Sequence, residues 1–418
     1  MKKYDLVVVG GGLAGVCSAV SARREGLSVL IIEQSGCFGG AISNSLVYPF
    51  MVHYFKNEKG EIECYSRGLL DEIKTRQDKK ISGCNNREFA PEYIKMVLDD
   101  MVEDYGVDYL FYSTVFDVKT KADKVKSVKV LAKSSVIEIK ADYFIDASGD
   151  GDLMYYAGCD YQLGRESDNR CQPLTTCFRA SNVDVELLYK EDSEYLDALY
   201  KKFQAEGRIK NPRENIWYTR GIDKGVAHFN TTRIINCDPT NPFELSKAEV
   251  ESRKQIFEMD KFLRENSKAY KNARIISIAT KIGVRESRKL KGVHILTGEE
   301  LKNCVKFKDS VAVANYPLDI HSPDGSGTYM HVFKNGEYYT IPYRALLPKE
   351  YTNLLVAGRC LSADHYAHSA VRIMTTCANL GEAVGTAIGI AKNTGKNTHE
   401  IDTDLLRKKL KSYGARVD

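Results

Sequence analysis

The chain begins with short apolar runs separated by a stretch of helical periodicity. Residues 6–9 and 29–32 are continuously apolar, which predicts strands buried on both faces, as in a parallel sheet covered by helices. Between them, residues 13–25 place small side chains on one face and predict a helix that packs on the sheet and ends at Gly26. Residues 141–152 and 353–359 predict two further buried strands, the first ending in a Gly/Asp turn. The pattern therefore predicts an α/β fold.

A later segment of the chain differs in composition and predicts a second domain. From residue 161 to about 339 the sequence is more polar and its connections are longer, which indicates a mixed-sheet substrate domain. Further helices are predicted over 91–105, 249–267, 375–392 (with a face of small residues) and 402–413. Strands are predicted over 108–116, 125–132 and 136–139, which form a β-meander, and over 274–282. A hairpin turn is predicted at 57–60, and a hairpin with an Asn335-Gly336 turn over 331–340.

A glycine-rich turn joins the first strand to the first helix. Gly10, Gly12 and Gly15 have the G-x-G-x-x-G spacing, and Glu33 follows the second strand. In this context the first glycine makes the turn, the second lets a pyrophosphate approach the backbone, and the third lets the helix pack closely. A carboxylate at the position of Glu33 accepts the ribose hydroxyls. The unit predicts a dinucleotide site, and the loop at Gly39 and Gly40 is expected to cover the cofactor.

Composition and charge narrow the classes of function. The net charge of +4 is spread over 60 basic and 56 acidic residues, so nucleic-acid binding has little electrostatic support. No apolar run approaches a membrane span, and a strand that begins at residue 4 leaves no room for a signal peptide. The 11 cysteines show neither CxxC pairs nor a metal-ligand spacing, which favours reduced thiols in the cytoplasm and no metal site. A thioether from Cys37 or Cys360 to a cofactor is not expected.

Four segments in this order resemble the glutathione-reductase-like superfamily of FAD proteins: residues 10–33, 146–152, 354–359 and 381–389. More closely, the chain is similar to the FAD-dependent oxidoreductase family often found beside polysaccharide-degradation genes. The matching stretches are 145–152, 283–288, 317–321, 341–348 and 357–362. Unlike the disulfide reductases of the superfamily, the chain has no second G-x-G-x-x-G and no CxxC pair, so an NADPH domain and dithiol chemistry are not expected.

The resemblance implies a Rossmann-type FAD-binding domain interrupted by the substrate domain. The FAD-binding domain would comprise residues 1–45, 100–160 and 340–418, and the substrate or cap domain residues 46–99 and 161–339. Together with the glycine motif, the resemblance implies non-covalent FAD held by Gly10, Gly12, Leu13, Ala14, Gly15, Glu33, Gly39, Gly40, Val115, Gly149, Asp150, Gly358, Arg359 and Arg372.

Candidate catalytic residues lie in two later segments. Arg285 and Arg288 have the donor geometry that suits carboxylates and polarised carbonyls, although both are also compatible with a surface location. Asp319 and His321 alternate on an extended stretch, so their side chains face the same way and could form an acid/base couple in which Asp319 raises the basicity of His321. The alternative for this couple is a turn carboxylate beside a surface histidine.

The second segment follows the last buried strand, where the superfamily lines the flavin. His365, His368 and Arg372 are all in this segment, and we expect at least one of the histidines to contact flavin or substrate, unless both are structural. Tyr343 lies at the return to the FAD-binding domain and either donates a proton or packs. The active site is therefore expected where residues 283–344 meet His365 and Arg372 at the flavin face.

The resulting hypothesis is a redox enzyme that moves a hydride between FAD and a small polar substrate, anionic or sugar-like in character. Reduction of an activated C=C bond is the first alternative, and an RNA-modifying or non-catalytic flavoprotein is the second. The expected partners are the small-molecule substrate and an unidentified electron acceptor or donor, with no nucleic acid and no membrane. A homo-oligomer is compatible with the sequence.

Overall fold

A computed structural model describes residues 3–85 and 87–418 of the protein. Its strands are β1 (Tyr4–Val9), β2 (Val29–Ile32), β3 (Tyr54–Lys56), β4 (Ile62–Cys64), β5 (Asp108–Leu110), β6 (Ser113–Lys121), β7 (Lys124–Ala132), β8 (Ser135–Asp146), β9 (Tyr161–Leu163), β10 (Phe178–Ser181), β11 (Tyr218–Arg220), β12 (Ala227–Phe229), β13 (Arg274–Ile278), β14 (Arg288–Leu290), β15 (Ser310–Ala314), β16 (Leu318–His321), β17 (Thr328–His331), β18 (Tyr339–Pro342) and β19 (Leu354–Val356).

The α-helices are α1 (Leu13–Arg24), α2 (Leu69–Lys80), α3 (Pro91–Asp104), α4 (Asp152–Ala157), α5 (Val185–Glu191), α6 (Asp197–Ala205), α7 (Pro242–Asn266), α8 (Gly298–Lys302), α9 (His365–Val371), α10 (Met374–Thr394) and α11 (Thr403–Ser412). A π-helical turn, Asp192–Leu196, joins α5 to α6, and a 3₁₀ turn, Tyr343–Leu346, follows β18. None of the helices in the described ranges is both long enough and apolar enough to cross a bilayer.

The central sheet has the strand order of a Rossmann fold. Its parallel part runs β5-β2-β1-β8-β19, with β1 paired to β2 on one side and to β8 on the other. In chain order this is the third, second, first, fourth and fifth strand, the arrangement that places a ligand crevice at the carboxyl ends of the strands. The N-terminal half of β8 instead pairs antiparallel with β7, and β7 with β6. The predicted meander is therefore continuous with the returning parallel strand.

The two faces of β1 are covered by different structures. Leu6 and Val8 belong to a core formed with α1, α3 and α10, whereas Val7 and Val9 pack with residues of the meander and of α4. The continuous apolar run is thus explained by burial on both faces, but helices form most of the cover on only one of them. On that helical face, α10 approaches α1 closely. A side chain at Gly381 would come within 2.1 Å of the Ala14 carbonyl oxygen.

The inserted part is built on a four-stranded sheet in the order β11-β12-β10-β13. Every pairing in this sheet is antiparallel, so the sheet that mixes both directions is the central one. The helix α7 is longer than its prediction because Asn241 caps its first turn and Pro242 begins it. Two short antiparallel ladders, β15 with β18 and β16 with β17, connect this part to the central domain.

The predicted hairpin over residues 331–340 is wrong. The Asn335-Gly336 turn exists, with Gly336 at φ +85°, but the strands on either side of it pair elsewhere, β17 with β16 and β18 with β15. An Asn-Gly turn fixes a local reversal of the chain and does not by itself choose the partner of each strand. The hairpin predicted around 57–60 is present as β3 and β4. The helices α2 and α3 share the core of α1 and α10, although the sequence assigned residues 46–99 to the cap.

Candidate functional site

A cavity of about 710 Å³ lies where the carboxyl ends of the central strands meet the inserted part. Its wall contains thirteen of the fourteen residues expected to hold the cofactor: Gly10, Gly12, Leu13, Ala14, Glu33, Gly39, Gly40, Val115, Gly149, Asp150, Gly358, Arg359 and Arg372. It also contains the candidate catalytic residues Arg285, Arg288 and His321. The structure therefore brings most of the predicted site residues to one cavity.

The glycine turn leaves the cavity open at Gly12. The backbone of Gly12 has φ −66°, which any residue can adopt, and a Cβ placed there would meet no protein atom closer than 3.9 Å. Gly12 is therefore not required by the fold itself, and its missing side chain keeps space free before the first turn of α1. Gly15, the fourteenth residue, does not line the cavity. A Cβ at Gly15 would lie 1.9 Å from the Gly10 carbonyl oxygen, so this glycine allows the helix to pack, as predicted.

Glu33 is buried at the end of β2 and reaches toward the glycine turn. Its Oε2 accepts a hydrogen bond from the Gly11 amide at 2.6 Å, and its Oε1 accepts from the amide and hydroxyl of Ser35 at 2.7 and 2.6 Å. Each carboxylate oxygen has lone pairs for more than one donor. The side chain can therefore hold the turn in place and still accept ribose hydroxyls from the cavity that it lines.

Two arginines are paired with carboxylates on the turn after β8. Arg359 lies 2.9 Å from Oδ1 of Asp150, and Arg288 donates to Oδ1 of Asp152 at 3.0 Å while its guanidinium stacks over Tyr155. Burial, followed by the charge of Asp150, raises the pKa of Asp152 to about 6. These pairs keep the turn next to the cavity, and Arg288 is engaged there rather than beside His321.

The residues around this cavity fit a dinucleotide. The first turn of α1 supplies backbone N–H groups and a helix dipole that favour a pyrophosphate, and Gly12 leaves room for it. Glu33 supplies a carboxylate for a ribose, and Val115 comes from the meander strand β6 that closes the wall beside β2. Gly12, Leu13, Glu33 and Gly358 are therefore residues that would hold a dinucleotide here.

Another part of the wall carries a chain of hydrogen bonds that ends on His321. The Nδ1 of His321 lies 3.0 Å from Oγ1 of Thr328, and Thr328 Oγ1 lies 2.8 Å from Oε1 of Glu214. A hydroxyl has one hydrogen, and the Glu214 carboxylate can only accept. Thr328 therefore donates to Glu214 and accepts from His321, so His321 carries its hydrogen on Nδ1. The Nε2 of the neutral ring is left as the proton acceptor.

Asp319 lies on the other side of the imidazole. Its Oδ2 is 3.5 Å from Nε2 of His321 and accepts a hydrogen bond from the Tyr316 hydroxyl at 2.9 Å. Burial, followed by the positive charge of Arg285, lowers the pKa of His321 to about 3, although Asp319 acts in the opposite direction. The sequence prediction that Asp319 makes His321 more basic is therefore outweighed by burial. The paired arrangement of the two side chains was predicted correctly.

Arg285 and Arg372 complete this part of the wall. Arg285 Nη1 donates to the carbonyl oxygen of Pro173 at 2.7 Å and to the hydroxyl of Thr175. Arg372 Nη2 lies 3.4 Å from Oε1 of Gln172, and its buried Nε has no partner in the part of the chain that the structure describes. Both guanidiniums thus reach the cavity with donors available to a ligand.

Three predicted residues lie elsewhere. His365 is buried with its Nδ1 2.9 Å from Oε1 of Glu286, and His368 bonds the carbonyl oxygen of Arg359 through Nε2 at 2.8 Å. Neither histidine lines the cavity, because α9 turns His365 toward the buried Glu286 and His368 toward the backbone of Arg359. Tyr343 is also buried, and its hydroxyl donates to the Thr398 carbonyl at 3.0 Å. The structure therefore does not place these three side chains in the cavity where contact with flavin or substrate was expected.

The sequence missed Thr328, Glu214 and Tyr316. Thr328 and Glu214 lie on different elements, 114 residues apart in the chain, and neither belongs to a motif. Tyr316 precedes Asp319 by three residues and was available as a polar neighbour of that pair, but a tyrosine before a short strand is too common to stand out.

Comparison with known proteins agrees with this geometry. The model of the FAD dependent oxidoreductase family matches residues 5–410. Digeranylgeranylglycerophospholipid reductase 1 of Methanococcoides burtonii is 25% identical over 197 residues, which is 44% of this chain and 46% of the relative. Dihydrolipoamide dehydrogenase of Chaetomium thermophilum is 26% identical over 149 residues, which is 32% of this chain and 27% of the relative. The chain thus spans less than half the length of these curated relatives.

The fold is also found in solved structures. A geranylgeranyl bacteriochlorophyll reductase-like protein from Thermoplasma acidophilum superposes with a TM-score of 0.50 at 15% identity, covering 100% of this chain and 85% of that one. At this identity the likeness concerns the fold alone. The family match spans almost the whole chain, and the residues of the cavity wall fit a dinucleotide. The protein is an enzyme that uses FAD and belongs to the FAD dependent oxidoreductase family.

Proposed function

We propose that the protein transfers a hydride between FAD and a small polar substrate, at the part of the cavity wall formed by Arg285, Asp319, His321 and Arg372. The observation that carries this proposal is the hydrogen-bond chain that places a hydrogen on Nδ1 of His321, in a ring whose pKa is lowered by burial so that Nε2 stays unprotonated. A neutral imidazole with a fixed tautomer is suited to accept a proton from a reacting hydroxyl or amine. Its position on the same cavity as the cofactor residues supports this role.

The proposed oxidation divides the two hydrogens of the substrate between cofactor and protein. Bound FAD would supply the acceptor for the hydride of the reacting carbon, and Nε2 of His321 would accept the proton of the hydroxyl or amine. The imidazolium is then stabilised by Asp319, whose Oδ2 is 3.5 Å away. A second substrate must accept the two electrons afterwards. Dioxygen, a quinone and nicotinamide nucleotides are the candidates to be tested as this electron acceptor.

Reduction of an activated C=C bond is the second candidate. The same residues would serve it in reverse: a proton taken up by His321 in the substrate complex would pass to one carbon, and the other carbon would receive a hydride from FAD already reduced by an electron donor. The similarity to a protein named digeranylgeranylglycerophospholipid reductase supports this candidate. The polar wall around His321 supports a small polar molecule, sugar-like substrates included, over a long isoprenoid chain.

Anaerobic mixing tests the proposal. Protein loaded with FAD is mixed with a panel of polar alcohols, amines and sugars while the visible absorbance of the flavin is followed. Once a compound bleaches the flavin, His321→Asn is expected to slow the bleaching by about 100-fold or more with unchanged FAD content. His399→Asn, at an exposed histidine, is the matched control. Equal rates in wild type and His321→Asn would contradict the role of His321.

A further inference from the structure

Four arginines line the cavity, and they differ in whether a carboxylate partners them. Arg359 lies 2.9 Å from Asp150, and Arg288 lies 3.0 Å from Asp152. Arg285 and Arg372 have no carboxylate within 4 Å among the residues that the structure describes. Their hydrogen bonds go to neutral oxygens of Pro173, Thr175 and Gln172. A buried guanidinium without an opposite charge is costly, so a pair of them on one cavity wall calls for a negative partner.

The neighbouring carboxylates are too few to supply that partner for both arginines. Arg233 is paired with Glu214 at 2.7 Å, and Arg213 lies 3.9 Å from the same carboxylate. Asp319 is the other nearby carboxylate, and its charge acts on both Arg285 and Arg372. In this region two carboxylates are thus shared by four arginines, Arg213, Arg233, Arg285 and Arg372. The surplus is consistent with the pKa of Arg285, which burial and then the charges of Arg213 and Arg372 lower to about 9.

We infer that Arg285 and Arg372 form a subsite for an oxyanion, so that the substrate is a small molecule bearing a carboxylate or a phosphate. This inference rests on the proposed function for the identification of the ligand as the substrate. A planar guanidinium offers parallel N–H donors to either group, and two of them can grip one oxyanion from two sides. The anion then sits beside His321, and the group that exchanges hydrogen lies next to it.

The phosphates of FAD do not account for this pair. The predicted pyrophosphate site is formed by the glycine turn and the first turn of α1, and the arginines near the turn after β8 already have aspartate partners. Arg285 comes from the loop after β13 in the inserted part of the chain. Its remaining N–H donors are therefore available to a ligand, other than the FAD phosphates, that the inserted part binds.

Binding to the FAD-loaded protein tests the inference without any turnover. Succinate, inorganic phosphate and the neutral analogue succinamide are titrated at constant ionic strength, and the difference spectrum of the flavin and calorimetric heats are recorded. We expect saturable binding of succinate or phosphate, at least about ten-fold tighter than that of succinamide. Preference between succinate and phosphate then distinguishes a carboxylate site from a phosphate site.

Variants connect the binding to the two arginines. Arg285→Gln and Arg372→Gln are each expected to weaken anion binding by about ten-fold or more, and Arg285→Lys by less, because the charge is kept. Arg208→Gln, at an exposed arginine of the inserted part, is the control with unchanged affinity. FAD content and the melting temperature show that each variant is folded and loaded.

Three results would overturn the inference. These are equal binding of succinamide and both anions, anion binding that survives in both Gln variants, or anion binding that appears only when FAD is removed. The last result would assign the two arginines to the flavin. If anions bind and the arginines are required, but no compound bleaches the flavin in a manner that depends on His321, the oxyanion subsite stands and the proposed hydride transfer fails.

Discussion

Thr328 accepts the Nδ1 hydrogen of His321 across 3.0 Å and so determines which ring nitrogen is left as a proton acceptor. The carboxylate of Glu214 fixes the direction of this bond, because Thr328 must give its own hydrogen to it. Hydrogen bonds from its own backbone amide and from Thr328, together with the charge of Arg233, lower the pKa of Glu214 despite its burial. Under the proposed function, Thr328 and Glu214 are therefore positioning residues that act through His321.

The tautomer of His321 provides the first prediction. In protein labelled with ¹⁵N-histidine, we expect the His321 ring to be protonated on Nδ1 above pH 6, with the resonance assigned by its loss in His321→Asn. Thr328→Val keeps the shape of the side chain and removes the acceptor, so the ring should become a mixture of tautomers. Thr328→Ser should restore the wild-type spectrum. An unchanged tautomer in Thr328→Val would show that Thr328 does not fix it.

The second prediction separates cofactor binding from folding at two neighbouring glycines. Gly12→Val should fold, because the backbone conformation suits any residue and the nearest protein atom is 3.9 Å away, but its side chain should block the pyrophosphate and give colourless protein. Gly15→Ala should instead fold poorly, because its Cβ would lie 1.9 Å from the Gly10 carbonyl oxygen. Melting temperature and FAD content are measured for both. Yellow Gly12→Val protein would contradict the assignment of this space to FAD.

Glu33 provides the third prediction. Glu33→Ala removes the acceptor for the ribose and also the bond that holds the Gly11 amide at 2.6 Å. We expect FAD affinity to fall by about ten-fold or more, since hydrogen bonds to a charged group contribute on the order of 1.5–3 kcal/mol each. Glu58→Ala, at an exposed carboxylate, is the control. Fluorescence titration of the FAD-free protein measures the affinity, and an unchanged value would assign the ribose to another residue.

The fourth prediction concerns stability in mild acid. Burial, followed by the charge of Arg179, lowers the pKa of His228 to about 3, and neither ring nitrogen has a partner among the described residues. Between the ordinary histidine pKa near 6.5 and this lowered value, the unfolded chain binds a proton that the native protein does not. The contribution of His228 is therefore complete above pH 6.5 and is lost as the pH falls, by up to about 1.4 kcal/mol per pH unit.

The variant His228→Phe tests whether His228 makes the free energy of unfolding fall as the pH falls. Phenylalanine keeps the ring beside Tyr48, whose centroid is 5.4 Å away, and leaves no hydrogen bond unmade. Urea unfolding at pH 7.5, 6 and 5 should show a similar free energy of unfolding at pH 7.5 and a smaller loss at pH 5 than in wild type. His399→Phe, at an exposed position, should lose as much as wild type. A pH dependence identical in His228→Phe and wild type would contradict the lowered pKa.

The sequence predicted best what is encoded locally. The strand, glycine turn, helix and Glu33 are contiguous, so their spacing alone specifies the cofactor end of the site. The sequence also pointed to Arg285 and His321, which line the cavity, but their meeting with Arg372 depends on how the inserted part folds back over the central sheet. His365 was misplaced because its neighbour Glu286 lies 79 residues away and draws the ring into the protein interior. Short-range periodicity carries no information about such a partner.

The close approach of α10 to α1 has a consequence for how the protein is made. A side chain at Gly381 or Gly385 of α10 would clash with α1, and one at Gly389 would clash with Glu25, which follows α1, so the two helices fit together only along this line. The first of these helices precedes the second by most of the described chain. During synthesis on the ribosome, α1 must therefore wait until α10 has emerged before it gains its packing partner. Loading of FAD would then follow the synthesis of α10, and partial chains released before that point would lack the hold on the cofactor.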